Sequence, residues 1–165
     1  MVRLGFRLPA KLVCLRRNFG GDLMKPSSIL PELVETVLTK LENKYRNCGQ
    51  SFFSDADLLE LNSLFGPVFE RALETLDSVK IIVYKSPNRL CELIEIQGHS
   101  NHVYKLFPYV NYCPCQSFKH QVLHHRTQCT CKHVLAARIA QIFNKVEERV
   151  LTDDQFNFLM KNVNG

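Results

Sequence analysis

Residues 113–133 read CPCQSFKHQVLHHRTQCTCKH and hold four of the chain's seven cysteines and four of its six histidines. Thiols and imidazoles this dense serve as disulfide partners, as a catalytic thiol with its base, or as metal ligands. An odd cysteine count and the lack of a short apolar segment with a cleavage site near the start argue against an oxidised secreted framework. The thiols are therefore expected to be reduced. A chain of 165 residues also buries roughly 70% of its unfolded surface and needs no cross-links to form a core.

The spacing favours a metal. Cys113 and Cys115 form one C-x-C pair, and Cys131 and His133 form a C-x-H pair 15 residues further on. The first pair follows a strand-like run, and the second opens an apolar stripe of helical period through Leu135, Ala136, Ile139, Ile142, Phe143 and Val146. Two ligand pairs on two rigid elements can close around a single ion. Three thiolates and one imidazole suit tetrahedral Zn²⁺, so we expect one structural zinc held by Cys113, Cys115, Cys131 and His133. Cys129 alternates with Cys131 and His133 and competes for the third position. His120, His124 and His125 are expected in a solvated loop. Nothing in the pattern supplies an activated thiolate with an oxyanion site, and four protein ligands leave no position for water, so no enzymatic activity is expected.

The flanking sequence predicts an α+β fold: N-terminal helices, a small antiparallel sheet, the zinc site, a packed helix, and a short final helix. Residues 1–24 are Arg-rich with a Gly20-Gly21 joint and are read as a disordered basic extension; a mitochondrial targeting segment is the lesser reading, because the stretch lacks Ser and Thr. Residues 25–77 form a helical region. Leu30, Leu33, Val34, Val37, Leu38, Leu41 and Tyr45 line one face of a helix ending near Gly49. Ser54 and Asp57 resemble a capping box for a second helix, and Gly66-Pro67 divides that helix from a third. Residues 78–148 form the zinc module, with strands over 79–84, 90–96 and 102–107 and a turn at Ser86-Pro87-Asn88. Cys91 is expected as a buried thiol in the second strand, and Cys14 and Cys48 as unpaired thiols of the same kind. Residues 149–165 hold a final helix opened by Thr152 and Gln155. No apolar run approaches the ~20 residues of a membrane span.

Charge is unevenly placed. Residues 25–100 are net acidic, whereas 101–146 carry six basic residues and no acid. Within that segment Lys119, Arg126, Lys132, Arg138 and Lys145 are candidate phosphate contacts; Arg138 and Lys145 are expected on one side of the long helix, with Tyr104, Tyr109 or Tyr112 available to stack bases.

The C-x-C, variable loop and C-x-H pattern, placed between a hairpin and a helix and extended by Ala136 to C-x-H-x-x-A, resembles the SWIM-type zinc finger. Together with the short helical N-terminal half it is similar to the SWIM subunit of the Shu complex. That resemblance implies a nuclear, non-enzymatic subunit that forms an obligate pair with a RecA-like ATPase paralogue and supports recombinase filaments on single-stranded DNA during double-strand break repair and meiotic recombination. A SWIM adaptor for another protein or DNA partner, and a mitochondrial or redox thiol protein, are the alternatives.

Overall fold

The computed structural model describes residues 30–46, 48–50, 52–98 and 102–161; the Arg-rich segment 1–24, with Cys14, lies outside them. Helix α1 spans Leu30–Tyr45 and buries the predicted stripe of Val34, Val37, Leu38, Leu41 and Tyr45, while Leu33 remains half-exposed. Helix α2, Asp55–Phe65, begins at Ser54, whose extended backbone lets its hydroxyl accept from the Asp57 amide. Gly66 then takes φ +53° and ψ −136°, a conformation open essentially to glycine. Pro67 starts helix α3, Pro67–Ser78, with its φ already set for the first turn.

Asp57 is more than a cap. Its carboxylate is buried and receives hydrogen bonds from Ser54 Oγ at 2.6 Å, from Lys44 Nζ at 2.6 Å and from the Tyr45 hydroxyl. Burial alone would raise this carboxyl, but the bonds from Lys44, Ser54 and Tyr45 outweigh it and hold Asp57 well below the usual carboxylate range. The end of α1 and the start of α2 are thereby fastened at one charged group.

Four strands form the sheet: β1 Ile81–Lys85, β2 Glu92–Gln97, β3 Val103–Leu106 and β4 Glu147–Val150. Their order is β3-β2-β1-β4. The pairs β1/β2 and β2/β3 are antiparallel, as expected, but β4 lies parallel to β1, with Ile82 opposite Glu147. The sheet is therefore mixed, and mostly antiparallel. Helix α4, Lys132–Ile142, stops earlier than the apolar stripe suggests. Asn144 takes φ +54°, which is incompatible with continuing a right-handed helix, and the chain turns into β4. Every residue of β4 is exposed, so no hydrophobic alternation marked it.

One core joins the helical region to the zinc module. Ile81, Val83, Ile94, Ile96 and Leu106 from one sheet face share it with α1 to α4 and with the cysteines. Helix α4 packs chiefly against α3 and less against β2; Ala136 and Ala140 are fully buried on it. The opposite sheet face carries Tyr84 and Leu93, covered by Phe156 of α5, Asp153–Lys161. A reciprocal box opens α5: Thr152 Oγ1 accepts from the Gln155 amide, and Gln155 Oε1 accepts from the Thr152 amide. Cys91, expected as a buried thiol, is half-buried against this second cluster, whereas Cys48 is an exposed free thiol. Among the described residues no helix is long and apolar enough to cross a membrane.

Candidate metal centre

Two segments converge on the site. After β3 the chain runs through an irregular stretch, 107–115, that bends at Tyr109, where φ is +61°, and carries Cys113 and Cys115. Cys131 is the N-cap of α4, and His133 is its second residue. The Asn111 side chain donates to the Cys129 carbonyl at 2.8 Å, tying the two segments beside the ligands.

Cys113, Cys115, Cys131 and His133 are all buried, and their ligand atoms lie within 4.8 Å of one another. Cys113 Sγ is 3.7 Å from His133 Nδ1. A Zn–S bond and a Zn–N bond at the tetrahedral angle place their ligand atoms about 3.6 Å apart. The donor set and spacing therefore fit one zinc ion. Surrounding groups support the charge such a centre carries: the Phe118 amide donates to Cys115 Sγ at 3.3 Å, and the Val134 amide favours the Cys131 thiolate. The His133 ring lies 4.3 Å from that of Tyr104, and Tyr104 is itself backed by Gly98, where a Cβ would come within 2.8 Å of the ring.

Three sulfurs this close cannot all ionise without a cation. Hydrogen bonds with Cys115 and Cys131, reinforced by burial, push the Cys113 thiol far up. The bonds that Cys115 accepts from Cys113 and Cys131 pull it far down. Cys131 gains from its bond with Cys113, but its bond with Cys115 and its burial push it up to about 12. A divalent ion resolves this competition by letting all three act as thiolates, which is why metal binding at such a site is coupled to folding.

Cys129 is left out. It is half-buried and does not join the group, because the backbone bends at 129 and 130 and breaks the alternation expected through 129, 131 and 133. The intervening residues are not a plain loop: Phe118–His124 form a π-helical segment. Phe118 anchors it, fully buried and edge-on to Tyr112 at 5.6 Å; an isolated aromatic in a polar stretch was the available signal. His120, His124 and His125 are exposed, the last two stacked at 4.7 Å.

The candidate phosphate contacts are dispersed. Lys119, Arg126 and Lys145 are exposed and Lys132 is half-buried, but Arg138 is buried. Its guanidinium pairs with Glu35 at 3.3 Å and lies over the Tyr109 ring. The expected basic strip along one helix does not exist, because α1 covers Arg138 and α4 ends before Lys145. Tyr104 is occupied by His133 and Tyr109 by Arg138, whereas Tyr112 remains half-exposed.

The chain is 28% identical over 133 residues to zinc finger SWIM domain-containing protein 7 of Danio rerio, covering 81% of this chain and 93% of that protein. It is 28% identical over 131 residues to the protein of the same name from Mus musculus, covering 79% and 84%. The Homo sapiens protein of that name is 26% identical over 132 residues, covering 80% and 92%. No family model and no solved structure matches the chain. The similarity spans most of the chain and nearly all of these relatives, in agreement with the resemblance carried by the C-x-C and C-x-H pairs.

Proposed function

We propose that this SWIM-like zinc protein is a non-enzymatic subunit of a Shu-like complex, working in the nucleus in homologous recombination. In this role it forms an obligate pair with a RecA-like ATPase paralogue, and the pair supports recombinase filaments on single-stranded DNA. The observation that carries the reading is the combination of a buried four-ligand site with similarity running the length of zinc finger SWIM domain-containing proteins. The C-x-H-x-x-A pattern and helical N-terminal half point within SWIM-type proteins to the Shu branch.

A full set of four protein ligands gives the metal a structural task. Zinc fastens the 107–115 segment to the entry of α4, and α4 is the element that α1 and α3 pack against. The helical half and the zinc module therefore present one rigid surface to a partner. The test is purification of the tagged chain under native conditions, with the co-purifying proteins identified by mass spectrometry. Stoichiometric recovery of a RecA-like ATPase is the expected result. Recovery of an unrelated partner in its place selects the adaptor reading and overturns this one.

A further inference from the structure

Beside the zinc centre lies a cleft of about 560 Å³, on the size scale of small-ligand sites, lined by Arg71, Ser117, Gln121, Gln128, Cys131 and Lys132. No carboxylate is among its lining residues. Arg71 comes from α3, in the acidic half of the chain, and is brought by packing of α3 on α4 to the same cleft as Lys132. Among the described residues neither cation has an ion pair. Gln121 accepts from the Thr127 hydroxyl through Oε1 at 2.7 Å, which leaves its amide nitrogen as the group with free donors. The cleft is thus furnished chiefly with donors and positive charge. The adjoining zinc centre, with three thiolates, carries a net charge of about −1; the two cations exceed it.

We infer that this cleft binds a backbone phosphate of single-stranded nucleic acid, with Arg71 and Lys132 on the phosphate oxygens and Gln121 and Ser117 donating beside them. An arginine fork suits phosphate geometry. The inference rests on the proposed role at single-stranded DNA and gives that role a location. Of the basic residues singled out from the sequence only Lys132 lines the cleft, and Arg71 was not among them.

The test uses the zinc-loaded full chain and a fluorescein-labelled oligothymidylate, with affinity measured by anisotropy across a salt series. The variants are Arg71→Gln, Lys132→Gln, and Lys80→Gln as an exposed control outside the cleft. Zinc content and melting are recorded for each, and Arg71→Gln is the decisive variant because it stands far from the ligands in sequence. Expected is a roughly 3- to 10-fold loss for Arg71→Gln at low salt, with the log–log salt slope smaller by about 0.7, and no change for Lys80→Gln. Wild-type binding with an unaltered affinity and slope in Arg71→Gln overturns the cleft but leaves DNA contact by another surface standing. Absence of wild-type binding overturns both the cleft and direct DNA contact by this chain, and leaves the partner-pairing reading to its own test. If Arg71→Gln weakens binding of a phosphoserine peptide but not of the oligonucleotide, the nucleic-acid assignment is overturned.

Discussion

The guanidinium carbon of Arg138 lies 4.6 Å from the centre of the Tyr109 ring. The same group reaches Glu35 on α1, and the Tyr109 hydroxyl donates to Glu42, about two helical turns further along, at 3.3 Å. One arginine on α4 thus holds both α1 and the segment leading to Cys113. Tyr109 sits at positive φ, which costs a non-glycine residue of order 1 kcal/mol or more, and the stacked cation helps hold it there.

Arg138→Ala is expected to cost about 2 kcal/mol, from the lost stacking and the space left among buried groups. Glu35→Gln should cost at most about 1 kcal/mol, because that carboxylate is half exposed. Urea denaturation of the zinc-loaded proteins checks both. Equal costs would show that the ion pair, rather than the stack, carries the contact.

Cys131→Ser is expected to lose zinc and soluble yield together, since structural zinc contributes on the order of 10–16 kcal/mol, as much as the whole net stability of a domain. Cys129→Ser should retain one zinc per chain and melt within a few degrees of wild type. Elemental analysis and thermal melting decide the matter; zinc retained in Cys131→Ser but lost in Cys129→Ser would reverse the ligand assignment.

Asp57 gives stability a dependence on pH. Its folded-state pKa lies below the ordinary value, so as pH falls the unfolded state takes up the proton first, and the stabilisation is lost. That stabilisation is fully present above about pH 4–5, where the unfolded carboxyl is ionised, and disappears as pH drops through and below the unfolded pKa of about 3.9. Asp57→Asn is expected to cost about 1–3 kcal/mol at neutral pH, and its gap from wild type should shrink on acidification. Acid also releases zinc, but from both proteins, so the difference between their urea midpoints isolates Asp57. A gap that widens on acidification would contradict the assignment.

Phe156 is fully buried under the sheet, and Phe158, two residues on, is 70% exposed. Phe156→Ala should cost about 3–5 kcal/mol and free α5 from the sheet, seen as faster amide exchange in Tyr84 and Leu93.

The parts legible in the sequence are those whose signal is local. The stripe of α1, the Ser54 cap, the Gly66-Pro67 break and the box at Thr152 each follow from spacing within a few residues, and each stands where it was expected. The ligand set was legible for a related reason: zinc chemistry restricts both the side chains and their spacing, so four residues in two pairs suffice. Three features were not legible. β4 is held by its hydrogen bonds to β1 and not by buried side chains, so its sequence carries no alternation. Arg138 reads as surface charge because nothing near it in the chain reveals that α1 will cover it. Cys129 was excluded by a bend at 129 and 130 that local composition does not encode.

By itself, then, the sequence determined helices α1 to α5, strands β1 to β3 and the four side chains that gather as a candidate metal site, because periodicity, capping and ligand chemistry act over short range. Only the tertiary structure decided that Arg138 is a buried clamp and that Arg71, from the acidic half, shares a cleft with Lys132. Burial and charge pairing depend on which surfaces meet when α1 and α3 close over α4, and that meeting is set by the packing of the whole core.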